Sequence, residues 1–249
     1  SIDGIRYNFL MGNLAKIKNA ILSKGSPVKA KASARFFKTG KGQYGEGDVF
    51  VGLTVPELRA ITKNYRNLPL SELKLLLRSP EHEFRLAALI ILGEKFARSS
   101  EPEQKKIYEL YLANTKWINN WDLVDSSAPN IVGAYLQGKS KAPLFGLAKS
   151  KSLWERRIAM VATYAFIKNG EADTALRVAA ILINDTHDLM HKAVGWMLRE
   201  VGKKASLKAE LQFLDKHAAT MPRTALRYAI ERLSSAQRTM YMKKAALPS

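Results

Sequence analysis

Helical periodicity is the feature of this sequence that most constrains its fold. Apolar residues recur at intervals of three and four in stretches such as "EFRLAALIILGEKF", "ERRIAMVATYAFIKN" and "MHKAVGWMLREVGK", and this spacing places them on one face of an α-helix. Short breaks containing Pro, Gly or Asn separate these stretches. Only "VFVGLTV", residues 49–55, has the composition of a β-strand. The sequence therefore predicts an all-α fold.

A recurring small residue indicates that the helices form repeats. Aligning them on an alanine near the helix start gives spacings of 159 − 87 = 72, 193 − 159 = 34 and 225 − 193 = 32, for Ala87, Ala159, Ala193 and Ala225. Because 72 is twice 36, a further repeat is expected near residue 123. Such periods are typical of α-solenoids, and without a visible tetratricopeptide consensus the HEAT type is favoured. We predict a single HEAT-like repeat domain over residues 1–249, an α-solenoid with a concave DNA-binding face.

The charge of the chain points to a polyanionic partner. Lys and Arg number 40 against 22 Asp and Glu, a net charge of +18. These cations are dispersed along the chain, which favours nucleic acid over a membrane surface, although a solubilising surface is the alternative. No apolar run approaches the roughly 20 residues of a membrane span. The amphipathic residues 1–22 predict the first helix of a soluble protein rather than a signal peptide, and we expect a cytoplasmic monomer.

Other kinds of site find little support in the sequence. The four histidines, His82, His187, His191 and His217, do not form an HExxH motif, so we expect surface or capping histidines and no metal. No serine lies in a GxSxG motif, and the chain has no cysteine. The glycine-rich residues 25–50 lack the Walker spacing, and we expect them to form a surface loop in which Lys38 and Lys41 contact a DNA backbone. No cofactor is expected.

An aromatic and acidic pair stands out in this basic chain. Within "NNWDLVDSSAP", residues 119–129, Trp121 and Asp125 are four residues apart and share one helix face. Either asparagine before the tryptophan suits the N-cap, Asp122 suits the first turn, and Pro129 is expected to kink the helix or end its regular part. Asp125 has no such structural explanation, and it falls near the position where other repeats carry alanine.

Two further tryptophans and an arginine recur in the next repeats. Trp154 and Arg157 open the next predicted inner helix, and Trp196 lies one turn into the following one. Core packing is the ordinary role of an indole, but residues facing one concavity with Asp125 would form a single pocket. There a carboxylate stabilises the charge that develops on a deoxyribose as its base leaves. The predicted catalytic residues are Asp125, Trp121, Trp196 and Arg157, and the predicted DNA-binding residues are Lys38, Lys41, Trp154, Arg156, Lys192 and Arg223.

Several of these stretches resemble the AlkD family of DNA alkylation-repair glycosylases. The resemblance rests on "NNWDLVDSSAP", "LWERRIAM", "KAVGWMLREVGK" and "GQYGEGDVFVGLTVPELRAI", and it covers roughly residues 30–240. It implies a HEAT-like solenoid that excises N3- or N7-alkylated purines from double-stranded DNA without base flipping. It also implies that Asp125 is the catalytic carboxylate, that Trp121 and Trp196 line the sugar, and that Arg157 contacts the phosphate.

The chain departs from the family pattern at two places, and more than one function remains open. Asn120 stands where many members have a second tryptophan, and Phe36 replaces a tyrosine that some members have, which bears on the range of lesions. The first hypothesis is a monofunctional glycosylase for cationic alkylpurines. The second is a non-catalytic HEAT-repeat protein that binds DNA or RNA structures. The third is a protein–protein scaffold, against which the charge of +18 argues.

Overall fold

The computed structural model describes residues 12–244, and helices dominate that range. The α-helices in chain order are α1 (Asn13–Leu22), α2 (Pro27–Phe36), α3 (Val55–Thr62), α4 (Leu70–Leu77), α5 (His82–Phe96), α6 (Glu101–Leu112), α7 (Trp121–Ala128), α8 (Ala142–Ala148), α9 (Leu153–Ala162), α10 (Tyr164–Ile167), α11 (Asp173–Leu182), α12 (Asp188–Lys204), α13 (Leu207–His217), α14 (Arg223–Ala229) and α15 (Ser235–Lys244). Short 3₁₀ turns span Lys63–Tyr65, Thr115–Trp117 and Ile230–Arg232, and a π-helical turn spans Pro129–Gly133.

The all-α prediction is confirmed over these residues. The one strand candidate contributes only an isolated parallel bridge between Val49 and Glu81, and residues 12–244 contain no β-strand. No helix in this part of the chain is long and apolar enough to cross a membrane. Of the predicted N-terminal helix, residues 1–11 lie outside the described residues and the remainder forms α1.

The chain divides into two compact units, residues 1–127 and residues 128–249. The domain prediction, one HEAT-like domain over residues 1–249, makes no such division and stays a prediction. Each unit has its own apolar core within the described residues.

Helix α5 is the centre of the first unit, in contact with α1, α3, α4 and α6. Its first three turns are buried on every side. Near its start the buried carboxylate of Glu83 accepts hydrogen bonds from the backbone N–H groups of Val51, Gly52 and Leu53, at 2.8, 2.7 and 3.2 Å. Gly52 has a φ of +91°, and a Cβ there would lie 2.1 Å from the Ser26 carbonyl oxygen. The loop before α3 is therefore fixed against α5, and glycine is required in it.

Residues 25–50, predicted to be a surface loop, are in part helical. Their first part forms α2, which begins with Ser26 as N-cap and Pro27 at the first helical position. The Ser26 side chain accepts the Lys29 N–H at 3.4 Å, and a serine followed by proline is a helix-start signal. The loop prediction holds only from Phe37 onward, and no α2 residue is buried.

Helix α12 is the centre of the second unit. It contacts α9, α10 and α11, which precede it in the chain, and α13 and α14, which follow it. Helix α9 in turn packs on α8 and α11, and α8 contacts α11. Stacking of this kind, in which successive helix pairs touch through equivalent members, is consistent with an α-solenoid.

One type of close helix contact occurs twice in the second unit. A Cβ on Gly133 would lie 2.2 Å from the Ala162 carbonyl oxygen, and a Cβ on Gly195 would lie 2.3 Å from that of Ala225. The added Cβ would also meet the side chain three residues after that alanine, which is Ala165 for Gly133 and Tyr228 for Gly195. The four alanines that define the predicted register, Ala87, Ala159, Ala193 and Ala225, are at most 1% exposed. The register alanines are therefore buried in the helix packing, and the HEAT-like repeat stays a prediction.

Candidate functional site

The start of helix α7, which carries Trp121 and Asp125, is held by the residue before it. Asn120 is fully buried. Its main-chain oxygen accepts the Val124 N–H at 3.2 Å and its side-chain Oδ1 accepts the Trp121 N–H at 2.8 Å. Asn120 is therefore the N-cap of α7. Asp122 lies in the first turn, as the sequence predicts.

The end of helix α7 also follows the sequence prediction. The α-helix ends at Ala128, and the backbone continues as the π-helical turn Pro129–Gly133. Proline cannot donate the next backbone hydrogen bond, so the regular helix stops there. Single π-helical turns are frequent at functional sites.

A buried ionic chain joins α7 to α5 and to the loop before it. The His82 ring nitrogens lie 3.0 Å (Nδ1) from the Asp48 carboxylate and 2.8 Å (Nε2) from the Asp122 carboxylate. Arg85 pairs with the second oxygen of Asp48, and the Asn120 side-chain amide donates to Asp48 at 3.0 Å. The side chains of His82 and Asp48 are each 2% exposed. We refer to Asp48, His82, Arg85, Asn120 and Asp122 as the His82 cluster.

His82 is positively charged in this cluster at neutral pH. Burial alone lowers its pKa, but hydrogen bonds and negative charge from Asp122 and Asp48 outweigh burial and raise the His82 pKa to about 9. Burial works against ionisation of Asp48 as well, yet the hydrogen bond from His82 and the charges of Arg85 and His82 lower the Asp48 pKa. An imidazolium donates from both ring nitrogens, which is what two flanking carboxylates require.

The prediction of a surface or capping histidine is wrong for His82 and right for His187. His82 meets partners 34 and 40 residues away, so its local sequence carries no sign of them. His187 is the N-cap of α12, and its Nδ1 accepts the Leu189 N–H at 3.1 Å.

Aromatic rings surround the indole of Trp121. Phe37 stacks on Trp121 with centroids 5.2 Å apart, and Phe36 meets the indole edge-on at 6.0 Å. Phe37 also stacks on Phe50 at 5.1 Å, and Phe50 stacks on the His82 ring at 4.5 Å. Phe36 is 66% exposed and Trp121 half-buried. The indole thus lies in an aromatic surface that is open to solvent on one side and rests on the His82 cluster on the other. Nothing in the sequence near Phe37 or Phe50 indicates these ring contacts.

Asp125 lies one helical turn after Trp121, on the same face of α7, and is half-buried. It lies near the buried phenol of Tyr111, whose pKa is raised by burial and raised further by the Asp125 charge, against the effect of a hydrogen bond with Ser127. The Tyr111 and Ser127 hydroxyls are 2.9 Å apart, and Ser127 donates to the Leu123 carbonyl at 2.5 Å. The carboxylate therefore sits on a rigidly packed turn.

Trp154, Arg157 and Trp196 belong to the second unit. Arg157, on α9, is 5% exposed, and its Nη1 donates to the Leu189 carbonyl in the first turn of α12 at 2.5 Å. Trp196 lies two turns further along α12 and is half-buried. Trp154 is half-buried in the first turn of α9. That these residues share one pocket with Trp121 and Asp125 stays a prediction.

Three of the predicted DNA-binding cations are exposed. They are Lys38 and Lys41 in the loop after α2 and Arg223 at the start of α14. Lys38 has a φ of 53°, and its ammonium lies 5.9 Å from the Tyr44 ring centroid. These positions are accessible to a phosphate backbone.

Two other predicted DNA-binding cations have carboxylate partners. Arg156 Nε donates to Asp185 at 2.5 Å, and its Nη1 donates to two main-chain carbonyls. Lys192 pairs with Asp188 one turn earlier on α12, at 2.7 Å. A phosphate contact by either cation has to compete with these intramolecular bonds.

A pair of lysines beside Trp196 was not singled out from the sequence. The Tyr164 ring lies 6.3 Å from the Trp196 ring. The ammonium groups of Lys168 and Lys204 lie 5.7 and 5.5 Å from the Tyr164 ring centroid. Both lysines are exposed and Tyr164 is half-buried. Aromatic and cationic side chains interleaved in this way suit contact with a nucleic acid strand.

Comparison with known proteins agrees with the sequence resemblance. A solved structure of a predicted DNA alkylation repair enzyme from Enterococcus faecalis has a TM-score of 0.65 with this chain at 17% sequence identity, covering 85% of this chain and 97% of that one. At that identity the likeness speaks for the fold. No curated protein matches the chain significantly. The family model for DNA alkylation repair enzymes matches residues 17–233. The chain therefore belongs to the DNA alkylation repair enzyme family, and its role lies in the repair of alkylated DNA.

Proposed function

We propose that this protein is a monofunctional DNA glycosylase that hydrolyses the N-glycosidic bond of cationic N3- or N7-alkylated purines in duplex DNA. The observation that carries the proposal is the pairing of Asp125 with Trp121 on one half-buried face of α7, in a chain with a net charge of +18. Dispersed cations account for affinity toward DNA. They do not account for an acid placed beside an indole, whereas glycosidic-bond cleavage does.

The chemistry assigned to Asp125 is stabilisation of a developing sugar cation. As an alkylated purine leaves, positive charge moves onto the deoxyribose, and a carboxylate stabilises that charge more than the ground state. At a separation of ~4 Å and an effective dielectric of about 20 the attraction is about 4 kcal/mol, or roughly a thousandfold in rate. The same carboxylate can orient the attacking water and accept its proton.

Trp121 contributes through the face of its ring. An indole face attracts a cation by about 0.5–2 kcal/mol, and stacking on Phe37 fixes the plane of this indole. The reaction needs the carboxylate and the indole near the sugar and not near the base edge. We therefore propose that excision proceeds without inserting the damaged base into a flipping pocket.

The remaining predicted residues are assigned to DNA contacts. In this proposal Trp196 contacts the deoxyribose, Arg157 contacts a backbone phosphate, and Trp154 packs against the strand. Exposed Lys38, Lys41 and Arg223 supply salt-dependent affinity, and Arg156 and Lys192 exchange their aspartate partners for phosphate when DNA binds.

The test is release of free base from N-methylated duplex DNA, measured by chromatography of 7-methylguanine and 3-methyladenine. We expect Asp125→Asn to lower the single-turnover rate by about 100- to 1000-fold while leaving affinity for undamaged duplex nearly unchanged. The matched control is Asp173→Asn, an exposed carboxylate at the start of α11, which makes the same change in net charge. Equal release by Asp125→Asn and the wild type would refute the catalytic assignment.

The same assay distinguishes a glycosylase from the second hypothesis, a non-catalytic binding protein. A non-catalytic protein that recognises DNA or RNA structure binds tightly and in a salt-dependent manner but releases no base from any methylated duplex. A wild type that binds and does not release either base contradicts the glycosylase proposal.

A further inference from the structure

We propose that His82 is a positioning residue: by bridging Asp48 and Asp122 it fixes the start of α7 and thereby the directions of Trp121 and Asp125. The inference rests on the proposed catalytic role of Asp125. The position of α7 can nevertheless be measured without any catalytic assay, so the two proposals can fail separately.

Three consecutive residues at the start of α7 are held by the same part of the first unit. Asn120 donates to Asp48, Trp121 stacks on Phe37, and Asp122 is bonded to His82. The His82 ring is itself the partner of Asp122, and it also contacts Asp48 and Phe37, the partners of the other two residues. It is hydrogen-bonded to Asp48 at 3.0 Å and lies 5.2 Å from the Phe37 ring. One imidazole therefore contacts a partner in each of these three interactions.

The charges around His82 balance only when the ring is protonated. Asp48 and Asp122 face it from the preceding loop and from α7, and Arg85 faces Asp48 from α5. Glu83, which follows His82 in the chain, has its carboxylate bonded to loop N–H groups. With an imidazolium the cluster holds two negative and two positive charges. A neutral imidazole leaves one buried carboxylate without compensation and can donate to only one of the two acids.

The elevated His82 pKa of about 9 sets the pH at which this change takes place. Below that pH the His82 ring donates a hydrogen bond to Asp48 and another to Asp122, so α7 is joined through Asp122 to the loop that carries Asp48. Above that pH the neutral ring can donate only one of these two bonds. Displacing a catalytic group by about 1 Å is enough to lower a rate by about a hundredfold. DNA affinity, which comes from dispersed cations, depends little on this displacement.

The first measurement is hydrogen exchange of peptides covering residues 118–128 in the wild type and in His82→Gln, which keeps a hydrogen-bond donor and loses the charge. We expect about tenfold faster exchange of this segment in the variant at pH 7.5, with no change in peptides from α12. In single-turnover base release we expect a rate lower by about 10- to 100-fold, with the Kd for undamaged duplex within about twofold of wild type.

The second measurement is the pH dependence of the same quantities in Asp122→Asn, which keeps the shape and an oxygen acceptor and also serves if His82→Gln does not fold. Removing one of the two carboxylates that hold the proton should move the alkaline fall in rate, and the alkaline rise in exchange, to lower pH by about one unit or more. Asp173→Asn, with the same change in net charge, should leave both curves in place.

The outcomes separate the two proposals. An unshifted alkaline limb in Asp122→Asn, or wild-type exchange of residues 118–128 in His82→Gln, overturns the positioning role. If the wild type releases no base at all, the glycosylase proposal fails, and the exchange measurements alone decide whether His82 positions α7.

Discussion

Asn120 donates its side-chain amide to Asp48, 72 residues earlier in the chain, at 3.0 Å. The same side chain accepts the N–H of Trp121 through its oxygen. One buried amide thus joins the loop before α5 to the first residue of α7, and neither an acid nor a large apolar residue can make both bonds.

The loss of stability on substituting Asn120 should therefore depend on the charge of the new side chain. We expect Asn120→Ala to lower the free energy of unfolding by about 1–3 kcal/mol, because a helix cap and a buried hydrogen bond are lost. Asn120→Asp should lower it by about 3–5 kcal/mol, since a second carboxylate would then lie unpaired beside Asp48. Urea unfolding at neutral pH measures both. Asn64→Asp, at an exposed position, is the control and should stay within about 0.5 kcal/mol; equal effects at the two sites would contradict this account.

Features that depend on residues close together in the chain were predictable from the sequence. The alanines used to align the helices were expected to pack against neighbouring helices, and Ala159 and Ala193 are fully buried; the HEAT-like repeat itself stays a prediction. The boundaries of α7 hold because an asparagine cap and the break at Pro129 are local chemistry.

The contacts made by distant parts of the chain were not predictable. Nothing near His82 in the sequence shows that carboxylates from residues 48 and 122 meet its ring. The stack of Phe37 on Trp121 joins residues from different elements in the same way. The sequence marked Asn120 as a possible helix cap and as a departure from a family pattern, but it gave no sign of the bond to Asp48, 72 residues earlier.

Stability should fall as the pH rises because of His82. Its pKa is about 9 in the folded protein and 6.5 without the fold, so its stabilisation is fully present below pH 6.5 and is lost as the pH rises toward 9. The difference corresponds to about 3 kcal/mol, at 1.36 kcal/mol for each pH unit. We expect the difference in unfolding free energy between wild type and His82→Gln to shrink by roughly this amount from pH 6 to pH 9.5. His217→Gln, at a half-buried histidine whose pKa is lowered, should show no such narrowing.

Glu210 should destabilise the fold at neutral pH. It is 3% exposed, burial raises its pKa to about 8, and its Oε1 has no hydrogen-bond partner among the described residues. The unfolded carboxyl ionises near pH 4.5, so folding at pH 7.5 has to protonate it, at a cost of about 2–4 kcal/mol. We expect Glu210→Gln to stabilise by that amount at pH 7.5 and by little at pH 4.5. Glu109→Gln, at an exposed acid on α6, should change stability by less than about 1 kcal/mol, and a pH-independent gain in Glu210→Gln would contradict the assignment.

The close approach at Gly195 should make it intolerant of any side chain. A Cβ there would lie 2.3 Å from the Ala225 carbonyl oxygen and 2.5 Å from the Tyr228 Cβ, and α12 and α14 would have to separate. We expect Gly195→Ala to destabilise by about 1–3 kcal/mol or more in thermal or urea unfolding. Gly146→Ala, on α8, meets nothing within 4 Å and should stabilise by about 0.5–1 kcal/mol. Two substitutions of the same chemistry thus have opposite expected signs.

The lysines beside Tyr164 should contribute to DNA affinity. Lys168 and Lys204 are exposed and lie over one ring that neighbours Trp196, and we expect both to contact phosphates. If each neutralises one phosphate of duplex DNA, replacing both by alanine reduces the slope of log K against log salt by about 1.8. Binding titrations at several salt concentrations measure the slope.

The matched control for this lysine pair removes the same charge elsewhere. Lys29 and Lys244 are each bonded to a carboxylate, Glu57 at 2.8 Å and Asp215 at 3.0 Å, so their charge is already neutralised in the folded protein. The double variant Lys29→Ala/Lys244→Ala should leave the slope nearly unchanged. A similar loss of slope in both double variants would show that only the total charge matters. A loss confined to Lys168→Ala/Lys204→Ala would place a DNA phosphate at the Tyr164 surface.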